Sequence, residues 1–101
     1  MEDMKTTMPS VEEQMRLSDL FRMFADTTRI GILSALSASE MCVGDLAEQV
    51  GLTVSAVSHQ LRLLRSGRLV TCRREGKQML YALADDHVRI MLKNGMDHIM
   101  E

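Results

Sequence analysis

The chain has 101 residues, 46% of them hydrophobic, which is enough for one compact core and too little for two domains. A formal net charge of −2 excludes a uniformly basic nucleic-acid coat, and no apolar run approaches the roughly 18 to 20 residues that a membrane-spanning helix needs. The polar start MEDMKTTMPS is unlike a secretory leader, and the two cysteines, Cys42 and Cys72, make neither a CxxC pair nor a disulfide framework, so a soluble, cytoplasmic protein is expected.

Over residues 11–25, Leu17, Leu20, Phe21 and Phe24 recur at i, i+3, i+4 and i+7, which predicts an amphipathic first helix with both phenylalanines on its buried face. Asp26 is placed to cap a second helix running to about residue 37, with Ile30, Leu33 and Leu36 on one face. After a Ser-Ala-Ser-Glu break, residues 43–50 read as a short third helix with Leu46, Ala47 and Val50 inward, and Gly51 ends it as a left-handed cap. Thr53 can cap a fourth helix over 54–66 that buries Val57, Leu61 and Leu64. Two short helices across a glycine-containing turn make a helix-turn-helix candidate.

Residues 69–74 and 78–83 are strand-like and are joined by Glu75, Gly76 and Lys77 as a hairpin turn, which would form a wing. Helical spacing returns over 85–100, with Val88, Met91, Leu92, Gly95 and Ile99 in phase. The expected fold is mainly α with a small β-hairpin (α+β), a winged helix-turn-helix of order ααααββα. Residues 11–101 would form this one domain, and residues 1–10 a flexible N-terminal segment.

Charge is distributed unevenly. Half of the basic side chains fall between 62 and 77, where Arg62, Arg65, Arg68, Arg73, Arg74 and Lys77 are opposed only by Glu75. The outer face of the fourth helix carries Ser55, Ser58, His59 and Arg62 at i, i+3, i+4 and i+7, and all four can hydrogen-bond. Short hydroxyls let a helix lie close in a major groove of about 12 Å, while His and Arg can reach base edges or phosphates. Arg65, Arg73, Arg74 and Lys77 can then straddle the backbone. With one tyrosine, Tyr81, and two core-type phenylalanines, the chain has no stacking platform for single strands, so the expected ligand is duplex DNA. Single recognition helices usually work as two-fold dimers on half-sites about 34 to 36 Å apart. A homodimer joined through the first and last helices, on an inverted-repeat operator, is therefore expected.

The last helix holds a second constellation: Asp85, His87, His98 and Glu101. At ~1.5 Å rise per residue the two histidines stand roughly 16 Å apart along one face, too far for a single ion within one chain. If the helix pairs antiparallel with its copy in a symmetric dimer, residues whose numbers share a common sum lie opposite each other. The pairs Asp85 with Glu101 and His87 with His98 meet that condition to within one residue, which gives two equivalent four-ligand sites per dimer. His98 and Glu101 are an i, i+3 pair, whereas Asp85 and His87 would diverge on a regular helix, so Asp85 is expected at or before the first turn. Two imidazoles and two carboxylates suit tetrahedral zinc, with cobalt as a possible substitute, better than cations that seek thiolates. Either the side chain or the terminal carboxylate of Glu101 could complete the set. Four protein ligands leave no position for a reactive water and no nucleophile–base pair is apparent, so neither an enzyme nor an organic cofactor is expected.

Along nearly its whole length, from about Leu17 to Glu101, the chain resembles the ArsR/SmtB metalloregulatory repressors. The resemblance is carried by FADTTRIGIL at 24–33, EMCVGDLAEQVGLTVSAVSHQLRLLRSGRLV at 40–70 and DDHVRIMLKNGMDHIME at 85–101. The last stretch resembles the zinc-sensing branch, whose Asp-x-His and His-x-x-Glu/His ligands fall on Asp85, His87, His98 and Glu101. The resemblance implies a metal-free dimer that represses genes for metal efflux or sequestration and loses DNA affinity when metal binds. It departs from the cadmium, lead and arsenic sensors, whose Cys-Val-Cys is here Cys42-Val43-Gly44, and the usual proline after Ala-Asp is Thr27. Two alternatives stay open at this stage: a winged-helix repressor that responds to thiol oxidation at Cys42 and Cys72, and a DNA-binding module with no effector.

Overall fold

The computed structural model describes residues 7–101, so most of the expected N-terminal segment, residues 1–6, lies outside the described residues. The elements are α1 (Val11–Phe24), α2 (Thr27–Ala38), β1 (Met41–Cys42), α3 (Val43–Val50), α4 (Val54–Ser66), β2 (Val70–Glu75), β3 (Gln78–Leu83) and α5 (Asp86–Ile99). Among the described residues, no helix is long and apolar enough to cross a membrane.

Local chemistry sets the helix ends. Ser10 accepts a hydrogen bond from the Glu13 backbone N–H while the Glu13 carboxylate accepts one from the Ser10 N–H, a capping box that starts α1. Asp26 and Thr53 cap α2 and α4 in the same way, accepting from the Arg29 and Ala56 N–H groups. Gly51 sits at φ 74°, in the left-handed region that closes α3, so Thr53, the N-cap of α4, can follow two residues later. At the end of α4 that region is taken by Arg68, at φ 62°. The Leu69 N–H reaches back to the Leu64 carbonyl at 2.9 Å, and both leucines are buried beneath the turn.

The core is built from Ile32, Leu33 and Leu36 of α2, Leu46 and Ala47 of α3, Val57, Leu61 and Leu64 of α4, then Leu69, Val70, Leu83 and Val88. In α2 Leu33 and Leu36 are buried as expected, but the isoleucine that joins them is Ile32, and Ile30 is only half-buried. Almost every side of α2 is apolar, so spacing alone left its inward face undetermined.

Two further expectations are amended. The hairpin gains a third strand: β1 pairs with β3, giving an antiparallel sheet of order β1-β3-β2. Glu75 belongs to β2 opposite Gln78, which leaves a two-residue turn with Gly76 at φ 63° in its first central position. The face of α1 is not buried within the chain: Phe21 is 53% exposed, Leu17 is exposed, and Leu20 and Phe24 are only half-buried. No residue of α1 is buried, and α5 buries only Val88. Both helices flank the core without being closed over by anything in the same chain.

Candidate functional site

The outer face of α4 stands clear of the core. Ser55, His59, Arg62 and Arg65 are exposed and Ser58 is half-buried, while Val57, Leu61 and Leu64 on the opposite side anchor the helix. Arg29 fixes it further. Its guanidinium donates to the Met23 carbonyl at 2.9 Å and the Arg22 carbonyl at 3.3 Å, at the end of α1, and to Gln60 Oε1 of α4 at 3.4 Å. Beside α4 an open cleft is lined by Ser58, Leu61, Arg62, Arg65 and Ser66 and closed on the sheet side by Tyr81. Two guanidinium groups, two hydroxyls and a phenol there form an anion-seeking surface of hydrogen-bond donors. Sequence reasoning missed Ser66 and Tyr81. Tyr81 had a readable signal, being the residue that strand alternation places on the core side together with Leu83.

The basic residues of the wing do not share one environment. Arg74 and Lys77 are exposed. Arg73 is held between two carboxylates: its Nη2 lies 2.6 Å from Glu40 Oε1, its Nε 3.2 Å from Glu40 Oε2, and its Nη1 2.7 Å from Glu75 Oε1. The hydrogen bond from Arg73 holds the Glu40 carboxyl below its ordinary value of 4.5, and the two carboxylates raise the Arg73 pKa in turn.

On α5 the metal-donor candidates occupy the two ends. Asp85 is the N-cap residue, with extended backbone, and its Oδ1 accepts from the Val88 N–H at 3.3 Å. That position outside the regular helix brings the same Oδ1 within 3.7 Å of His87 Nδ1, overcoming the divergence of an i, i+2 pair. The His87 side chain is 88% exposed. His98 lies in the last turn of α5 and Glu101 just beyond it, both exposed. Among the described residues no three His, Cys, Asp or Glu side chains of one chain come together as a metal site.

The cysteines do not meet either. Cys42 lies opposite Leu80 and Cys72 opposite Tyr81. Cross-strand partners point to the same side of a sheet and successive residues to opposite sides, so the two thiols project from opposite faces. They are also two strand spacings of about 4.8 Å apart, beyond the roughly 6.8 Å Cα separation that a disulfide can span.

A recognition helix held by its apolar side across a Gly51 turn, next to a basic β-hairpin, defines a winged helix-turn-helix DNA-binding regulator. Comparisons with known proteins agree. The family described as "Bacterial regulatory protein, arsR family" matches residues 26–71. The transcriptional repressor SmtB homolog of Synechocystis sp. is 44% identical over 92 residues, covering 91% of this chain and 70% of that protein. The HTH-type transcriptional regulator NmtR of Mycobacterium tuberculosis is 39% identical over 82% of this chain and 69% of its own length. Among solved structures, that of the AntR antimony-specific transcriptional repressor superposes with a TM-score of 0.85 at 33% identity, covering 95% of this chain and 87% of that one. The solution structure of apo-NmtR gives 0.79 at 33% identity, covering 96% and 82%. The chain belongs to the ArsR/SmtB family of metal-responsive transcriptional repressors.

Proposed function

We propose that the protein is a zinc-responsive repressor that binds an inverted-repeat operator as a homodimer and leaves it when zinc is held between the paired α5 helices. The observation that carries this reading is the division of donors between the ends of one exposed helix, Asp85 and His87 at one end and His98 and Glu101 at the other. Half a ligand set at each end is completed when the helix lies antiparallel to its copy.

The surface around α5 supports such pairing. Phe21, Phe24, Ile30, Met91, Met96 and Ile99 line an open apolar groove between α1, α2 and α5, and Ile99 is 69% exposed. Continuous apolar surface of this kind is rare on a lone soluble chain and marks an association face. Two imidazoles and two carboxylates favour zinc, with cobalt as its substitute, over thiolate-seeking cations, and the opposed cysteines supply no thiolate pair to argue otherwise. The same opposition removes a Cys42–Cys72 disulfide within one chain.

Bound there, the cation would supply positive charge that neutralises the carboxylates and cross-links the two helices. The remaining work falls to the chain. The Arg89 guanidinium donates to the Ser37 carbonyl at 3.4 Å, tying α5 to the end of α2, and Arg29 ties α2 to α1 and α4. The angle at which two α5 helices meet thereby sets the spacing of the two α4 helices and their fit to successive grooves.

The test is the affinity of the dimer for a duplex operator selected from a random pool, measured with a chelator and then with two zinc equivalents per dimer. Coupling energies typical of allosteric proteins predict a loss of about 5- to 150-fold. His98→Ala should bind the same duplex and fail to release it. Equal affinities of the unsubstituted protein in the two conditions would refute the reading.

A further inference from the structure

Arg73 and Arg74 are adjacent in the sequence and look interchangeable as phosphate contacts, but the sheet register separates them. Arg73 lies opposite Leu80, which lies opposite Cys42, so all three share one face of the sheet. Arg74 lies opposite Met79 and shares the other face with Tyr81, Val70 and Leu83. Tyr81 closes the cleft that holds Ser58, Arg62 and Arg65 of α4, and Val70 and Leu83 pack into the core. The Arg74 face therefore looks toward the reading helix, and the Arg73 face looks away from it.

On its own face Arg73 is already occupied. Its bidentate contact to Glu40 joins β2 to the segment leading into β1 and α3, and its third contact, to Glu75, reaches the end of β2 at the turn. A guanidinium that meets a carboxylate with two parallel N–H groups is fixed in direction as well as in charge. Moving it to a DNA phosphate would break three short contacts and leave Glu40 and Glu75 as uncompensated negative charges beside a polyanion.

We infer that the two wing arginines divide the work: Arg74 is the phosphate contact, and Arg73 is a positioning residue that clamps the hairpin through Glu40 to the segment entering the helix-turn-helix. The wing then meets DNA at an angle set by the protein, with little ordering left to occur on binding. This inference rests on the duplex-DNA reading above, and its test separates the two.

Salt dependence distinguishes a contact from a clamp, because the slope of log Kobs against log[salt] counts neutralised phosphates at about 0.9 each. In a dimer Arg74→Ala should lower that slope by about 1.8, two contacts being lost. Arg73→Ala should leave the slope unchanged and weaken binding about three-fold, and Glu40→Gln should do the same. The double variant should be no worse than either single one, as expected for one interaction. If Arg73 is instead a DNA contact restrained by Glu40, Arg73→Ala lowers the slope as Arg74→Ala does, and Glu40→Gln tightens binding; either result overturns the inference.

A second readout needs no DNA. Hydrogen exchange of the β2 and β3 amides should be several-fold faster in both Arg73→Ala and Glu40→Gln than in the unsubstituted protein, and unchanged in Arg74→Ala. Equal exchange in all four proteins would rule out the clamp. Failure of the unsubstituted protein to bind any duplex would sink the DNA reading and leave the clamp to be decided by exchange.

Discussion

The reading half of the molecule and its flanking helices use the same amphipathic spacing to opposite ends. In α2, α3 and α4 the apolar stripes close on one another and on the sheet, and Ile32, Leu33, Leu46, Val57 and Leu64 lose all contact with solvent. In α1 and α5 the stripes stay open: Val11, Met15 and Phe21 of α1 and Met96 and Ile99 of α5 remain exposed. A stripe that closes within the chain specifies the fold, and one that stays open specifies an assembly. Asp85, His87, His98 and Glu101 lie at the two ends of the open helix α5, and in the function proposed above a second chain would complete their donor set.

Substitutions on the two sides should separate sharply. Leu61→Ala removes a side chain that is 1% exposed, so it should cost about 2 to 5 kcal/mol in denaturant unfolding and impair every function together. Phe21→Glu should leave a folded chain and raise the dimer dissociation constant about 30-fold or more, read by sedimentation. An unfolded Phe21→Glu chain would mean that α1 belongs to the core after all.

The smallest expected effect concerns the wing. The Glu40 carboxyl has its pKa lowered by the hydrogen bond from Arg73, so its contribution is complete above the ordinary value of 4.5 and is lost as pH falls through the lower folded value. The Arg73 Nε–H signal in NMR spectra should hold constant from neutral pH down to about that value and move only below it. Glu40→Gln should reduce the movement.

How much of this was legible in the sequence follows from range. Asp26, Gly51 and Thr53 act on backbone groups within five residues, and their types identified the helix boundaries directly. β1 is two residues long and exists only because β3, far along the chain, pairs with it, so no periodicity could reveal it. The basic run was visible, but its partition was not: which face Arg73 takes depends on Glu75 pairing with Gln78, a register set by the turn. The i, i+2 spacing of Asp85 and His87 diverges on a regular helix, which is why Asp85 is expected at or before the first turn; it is the N-cap of α5, and the two side chains come within 3.7 Å. Burial of Phe21 was read from spacing that cannot distinguish an internal core from an external partner.

Cobalt absorption spectroscopy of the unsubstituted protein and of Phe21→Glu tests most directly whether the metal site is a property of two chains. Titration should end at two tetrahedral cobalt ions per unsubstituted dimer, and Phe21→Glu, titrated at a concentration at which sedimentation shows it to be monomeric, should develop no tetrahedral spectrum. A tetrahedral site that fills equally well in the monomer, or fewer than two sites per dimer, would contradict the shared α5 site.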